Sequence, residues 1–299
     1  MQLYTSPSSC SGVSSGQGLL AVDPRSGAVQ LLATRLTNAS LARSQAAIQF
    51  CDDVDVSLKT GKIYFSDASR IPVLPNRQGE LDPLGSSLLT LLQGSPTGRL
   101  LGYDPRTRTT ELLANGIYFA NGVALSEDES HVLVVETFGM RVLRHWLAGP
   151  QAGTTDVFLE GLPAFPDGIS RAPGGRSYWV ALATPTTELV QRLPSSRLLR
   201  WLVAWMPDAL KPKALHYGWV AEVSADGRLL RSLQDPTGAT CHTISSVVQV
   251  GTSLYMGSMG TSHVCRLDLS GAGAAPAKAG RAGQPGTPGQ PGKAGGAAA

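Results

Sequence analysis

The sequence predicts an all-β propeller, on three observations. Helical periodicity is scarce, a strand-turn-strand unit recurs along the chain, and two-stranded hairpins fall between the copies. Units of this kind cannot bury their apolar faces alone, and stacking them around an axis lets each cover the next. A chain of 299 residues, 42% of them hydrophobic, is long enough to bury one large all-β core.

The recurring unit begins at Phe50 with "FCDDVDVSLKTGKIYFSDAS", at Phe119 with "FANGVALSEDESHVLVVET" and at Phe165 with "FPDGISRAPGGRSYWVALA". Each runs aromatic, any residue, Asn or Asp, Asp or Gly, a β-branched residue, a polar turn, then a β-rich run. A weaker copy, "TISSVVQVGTSLYMGS", starts near Thr243. Between copies, residues 18–34 and 98–114 read as a strand, an Asp-Pro turn and a second strand, and residues 218–234 repeat the design around Ala-Asp-Gly. Their apolar and polar residues alternate with the period of half-buried antiparallel pairs. One copy plus one hairpin makes a four-stranded blade.

The propeller is expected over residues 18–270, preceded by an irregular segment, residues 1–17. A Gly, Ala and Pro-rich tail follows, residues 271–299. Gly280, Gly283, Gly286, Gly289, Gly292 and Gly295 keep the spacing of a collagen triple helix, but so short a run does not hold three chains together, and a disordered tail is expected.

Composition narrows the function. The formal net charge is +3, without a block of like charge, so nucleic acid and polybasic membrane binding have little support. No stretch approaches the roughly 18 apolar residues of a membrane span, and the N-terminus lacks the basic and apolar regions of a signal peptide. Cys10, Cys51, Cys241 and Cys265 have no C-x-x-C spacing, which argues against zinc and leaves open buried thiols or one or two bridges. Asn38-Ala39-Ser40 is a glycosylation sequon should the chain enter the secretory path.

Asp52, Asn121 and Asp167 occupy one phase of the repeat. In a propeller the innermost strand of each blade lines the central channel, so these three side chains converge at its mouth. Oxygen donors meeting there suit a hard cation such as calcium. The competing reading is a set of turns, because Asn-Gly and Asp-Gly are the commonest hairpin formers.

The run from "TGRLLGYDPRTRTTELLANGIYFANGVALSEDESHVLVVETFGMRVLRHWL" through "FPDGI" and "YWVAL" resembles the strictosidine synthase-like proteins, over about residues 18–269. The resemblance implies a six-bladed β-propeller, more distantly related to calcium-dependent paraoxonases and gluconolactonases. It implies metal ligands at Asn121 and Asp167, and at Asp52 in place of an Asn. Gly168 stands where relatives often carry a second Asn, and the acidic ligand of their first blade has no counterpart. Relatives also carry a leader or anchor and a complete first blade. The chain is therefore expected to begin inside that blade, leaving an edge that another chain could fill, and a secretory or endomembrane location is implied. The Glu that takes a proton in strictosidine synthesis aligns with Ser245, which has no basic lone pair at neutral pH.

The function these features favour is calcium-dependent hydrolysis of an ester or lactone, a small-molecule substrate. Calcium on Asp52, Asn121 and Asp167 would polarise the carbonyl, and Asp53 or His242 would handle the proton. The alternatives are an amine-aldehyde condensing enzyme and a non-catalytic binding propeller. Residues 195–212, the one helical stretch, are expected to form a lid or pocket wall rather than a membrane contact, and residues 70–100 are expected to be an insertion between blades.

Overall fold

The protein is described by a computed structural model covering residues 18–270, apart from 24, 38–42, 77, 208–209 and 211–213. Asn38, Cys10, residues 1–17 and the C-terminal tail lie outside the described residues.

Strands β1 (Leu19–Val22) and β2 (Val29–Ala33) form a two-stranded sheet, followed by helix α1 (Arg43–Ala46). The first full blade begins with β3 (Cys51–Val56) and β4 (Ile63–Asp67). It then carries an insertion of β5 (Leu74–Pro75), β6 (Leu81–Asp82) and α2 (Pro83–Gln93), and closes with β7 (Gly98–Asp104) and β8 (Thr109–Ile117). The second blade is β9 (Ala120–Leu125), β10 (His131–Glu136), β11 (Arg141–Trp146) and β12 (Thr155–Leu159). The third starts with β13 (Ala164–Arg171) and β14 (Ser177–Pro185), inserts α3 (Glu188–Arg192) and α4 (Arg197–Trp205), and ends with β15 (Gly218–Ser224) and β16 (Leu229–Asp235). A fourth blade has three strands, β17 (Ile244–Val250), β18 (Ser253–Ser258) and β19 (Cys265–Asp268).

The three four-stranded blades are antiparallel meanders, and each pairs a copy of the repeat with the hairpin that follows it. The expected turns form: Asp23 Oδ1 accepts the Arg25 N–H at 2.9 Å, and Asp104 Oδ1 does the same for Arg106 at 2.9 Å. The propeller architecture holds, with four blades and the β1–β2 sheet among the described residues rather than six blades. Helical insertions lengthen two of the blades, and the described residues form as many blades as the repeat has copies, fewer than the six that the resemblance implies. Residues 70–100 lie within the first blade, between its second and third strands, and not between blades.

Blades meet through their buried faces. On β14 the period of two sends Tyr178 into a cluster with Leu133, Val135 and Phe158 of the second blade, while Trp179 enters another with Val247, Leu254 and Met256 of the fourth. Cys241 and Cys265 form a disulfide that ties the approach to β17 to the last strand of its blade, and Cys51 is a buried thiol outside that bridge.

Both helical insertions leave their blades after the second strand and reach the same end of the propeller. Asp82 caps α2 by accepting the Gly85 N–H at 2.8 Å, with Pro83 in the first turn and left-handed Gly94 at the end. Ser196 caps α4 through the Leu199 N–H at 3.3 Å. Leu91 of α2, Leu193, and Leu199 and Val203 of α4 pack on Phe50, Phe119 and Phe165, the opening aromatics of three repeat copies. The helices therefore roof the strand starts, as expected of a lid.

Candidate functional site

Strands β3, β9, β13 and β17 are the innermost of their blades and neighbour one another around the axis. Each slips register with its partner at one phase. β3 pairs Cys51 and Val54 but bulges at Asp52 and Asp53. β9 bulges at Asn121 and Gly122, β13 at Asp167 and Gly168, and β17 at Ser245. A bulge re-aims side chains and frees backbone groups from the ladder, so the shared phase seen in sequence becomes a ring of bulges.

The Asn-Gly and Asp-Gly pairs are thus strand residues rather than hairpin turns. Gly122 and Gly168 do not have positive φ; they are glycines because blades approach closely there. A Cβ on Gly122 would lie 2.7 Å from the Asp167 carbonyl oxygen, and one on Gly168 would lie 2.6 Å from that of Ser245. Gly168 therefore serves the seam with the fourth blade, where a ligand-sized side chain has no room.

Asp53 holds the corresponding place in the first blade and fills the seam with a carboxylate. Its Oδ2 accepts the Val123 N–H of β9 at 2.8 Å and its Oδ1 the Val54 N–H at 2.8 Å. Asp55 repeats the stitch one step along, accepting the Leu125 N–H at 2.8 Å. Burial nevertheless pushes the Asp53 carboxyl up to about 7, against the pull of those two hydrogen bonds.

Asn121, Asp167 and Asp53 interact. Asn121 hydrogen-bonds the Asp167 side chain, and Asp53 is close enough to repel it. Burial first, with that repulsion added, raises Asp167 to about 7. Asn121 is buried and also donates Nδ2 to Thr137 Oγ1 at 3.2 Å, while Thr137 Oγ1 donates to the Pro166 carbonyl at 2.8 Å. With its amide hydrogens engaged, Asn121 keeps its carbonyl oxygen as a donor atom for a cation. Asp52 sits half-buried in the β3 bulge, at the phase of Asn121 and Asp167.

Two buried carboxylates escape the sequence reading. Asp67, ending β4, accepts the Gln49 and Phe50 N–H groups at 3.0 and 2.8 Å and pairs with Arg99, whose Nε lies 2.9 Å away. Glu136, ending β10, accepts the Tyr118 N–H at 2.7 Å and pairs with Arg141. Both hold the backbone just before a bulge, and the signal was present: Asp67 in "FSDAS" and Glu136 in "VVETF" share a repeat phase. Phe119, beside the second latch, has a φ of 67°, a left-handed conformation uncommon for an aromatic residue. Thr243, at the same phase in the fourth blade, has a φ of 51°.

His242 is elsewhere in its contacts. Its ring stacks on His216 at 4.3 Å, its Nδ1 lies 3.1 Å from Thr243 Oγ1, and its carbonyl accepts from Ser258. No interaction among the described residues links it to Asp53 or Asp167. A cleft of about 440 Å³ between the third and fourth blades, lined in part by the Cys241–Cys265 bridge, Asp235 and Arg266, is also separate from the carboxylates.

The comparisons with known proteins agree with this architecture. Residues 52–150 match the family model described as strictosidine synthase. Strictosidine synthase-like 10 of Arabidopsis thaliana is 36% identical over 250 residues, covering 81% of this chain and 61% of the relative. The chain belongs to the strictosidine synthase-like family. The adipocyte plasma membrane-associated protein of Homo sapiens is 32% identical over 259 residues, covering 85% of this chain and 59% of its own length. This strictosidine synthase-like chain thus spans about three fifths of the curated relatives it matches. Among solved structures, a gluconolactonase from Xanthomonas campestris shares the fold at a TM-score of 0.53 and 17% identity, covering 82% of this chain and 63% of that one.

Among the described residues no group of three or more His, Cys, Asp or Glu is placed to hold a metal. A cation here would instead use a mixed set of carboxylates and the Asn121 amide. That set fits a hard cation: all its donors are oxygens, and burial raises Asp53 and Asp167, which a positive charge would offset.

Proposed function

We propose that this protein hydrolyses a small ester or lactone at the entry of its channel, with calcium bound by Asp52, Asn121 and Asp167. The observation carrying this reading is the Asp53, Asn121 and Asp167 group, two carboxyls raised to about 7 beside an amide in one desolvated place. Lactone hydrolysis is also the activity named for the Xanthomonas campestris protein of the same fold.

A bound calcium ion supplies Lewis acidity toward the substrate carbonyl oxygen. Asn121 and Asp167 would hold that ion together with Asp52, and Thr137 keeps the Asn121 amide in its rotamer through a bond anchored on Pro166. Asp53, poised near neutrality, takes the proton of the attacking water at its carboxylate and returns it to the leaving alkoxide. Leu91, Leu199 and Val203 roof the site and keep bulk water from competing.

The condensation reading needs a carboxylate at Ser245, and that residue instead offers its backbone carbonyl to the seam with Gly168. A secretory or membrane location belongs to the same proposal and rests on the name of the adipocyte relatives. Assays of aryl esters and lactones with calcium and with chelator test the reading: turnover that needs calcium and disappears in Asn121→Ala supports it, and chelator-insensitive turnover overturns it.

A further inference from the structure

The lid helices are apolar on the wrong side as well as the right one. The inner face of α4 buries Val203 and packs Leu199 on the phenylalanine cluster. Its outer face leaves Leu198 at 65% exposure, Trp201 at 57%, Leu202 at 45% and Trp205 at 77%. At 100° per residue these four fall on one stripe, with exposed Arg197 at its border. Leu84, Leu88 and Leu89 of α2 are exposed too. The two helices are joined: Arg200 lies against Gly94 at the end of α2 and donates its Nη1 to the Leu193 and Pro194 carbonyls at 3.0 and 2.7 Å. The exposed stripe of α4 is an apolar face of the kind that marks an interaction site.

We propose that the outer face of α2 and α4 docks on an anionic lipid surface, seating the lid in the headgroup region. Charge selects the partner, since neither helix contains an acidic residue and Arg197 stands exposed at the border of the α4 stripe. Two exposed tryptophans beside an arginine suit the boundary between headgroups and acyl chains, where an amphipathic ring is placed best. The attachment is interfacial: α4 has nine residues, and no described helix is long and apolar enough to cross a membrane. The face lies over the strand starts that carry the carboxylates, so docking would present the channel entry to the lipid side. This assignment stands apart from the hydrolase reading, and its test reads binding rather than turnover.

The full chain is sedimented with vesicles of phosphatidylcholine alone and of phosphatidylcholine with phosphatidylserine, at low and high salt. Binding to the anionic vesicles, weakened by salt, is expected. The double substitution Trp201→Ser and Trp205→Ser should lower partitioning by about tenfold or more, as removal of two large apolar side chains from the interface requires. Both side chains are mostly exposed, so circular dichroism of this variant should match the parent. Leu58→Ser, 88% exposed at the β3–β4 turn and at the opposite end of β3 from the lid, should leave partitioning unchanged. Equal binding by the double variant overturns the proposal, and equal binding to neutral vesicles overturns the anionic assignment. A dimer by light scattering that the double substitution converts to monomer, without vesicle binding, assigns the face to a second copy and also overturns it.

Discussion

Replacing Asp167 with Asn should stabilise the metal-free protein while removing its response to calcium. The Asp167 carboxyl is raised from 3.8 to about 7 by burial and by Asp53. Above pH 7 the folded protein holds it charged at a penalty of up to about 4 kcal/mol. Asp167 keeps part of its surface exposed, and discounting for that solvent screening brings the working figure to about 1 to 2 kcal/mol. For a chain of this size that corresponds to a Tm rise of about 2 to 8 °C in chelator. The sign follows from proton linkage. A carboxyl raised in the fold binds its proton more tightly than in the unfolded chain, so it loses stability as pH rises from about 4 to about 7. The advantage of Asp167→Asn should therefore be largest above pH 7 and shrink toward pH 4. Asn retains an oxygen that can accept from Asn121, so the local hydrogen bond survives. Differential scanning calorimetry across that range, with and without calcium, reads both effects. An unchanged or lowered Tm in chelator at pH 8 would refute the idea of two carboxylates held against desolvation.

Other perturbations probe the scaffold. Gly168→Ala puts a Cβ 2.6 Å from the Ser245 carbonyl oxygen and should destabilise the protein by about 1 to 3 kcal/mol in urea unfolding, although no turn or positive φ is involved. Asp67→Asn leaves Arg99 buried without its counter-charge and should cost about 3 to 5 kcal/mol, measured the same way. Burial holds His145 below the ordinary imidazole range, so it remains neutral in the fold while the unfolded chain takes up protons. Wild-type stability should fall relative to His145→Gln as pH drops below about 6.5, and paired urea midpoints test that direction.

The repeat was legible because each copy starts with an aromatic residue and places Asn or Asp two positions later. That phase located Asp52, Asn121 and Asp167 and led to the propeller. The physical meaning of the glycines was hidden. Asn-Gly has the composition of a hairpin turn, and only the approach of β13 to β9 shows that Gly122 is a seam residue. Asp53 reads in sequence as a candidate group for handling the proton, and its carboxylate's reach between blades to Val123 shows only in the structure. The latches at Asp67 and Glu136 were aligned in the repeat but masked by unlike flanking residues. The place of each helical insertion inside its blade depends on which strands pair, which linear spacing does not record.

The most direct test of the account is isothermal titration calorimetry of calcium into the metal-free full chain, beside Asn121→Ala at neutral pH. Saturable binding at one site in the parent, with proton release from the raised carboxyls and loss of binding in the variant, is the predicted result. Absence of binding in the parent, or an unchanged isotherm in Asn121→Ala, would contradict it.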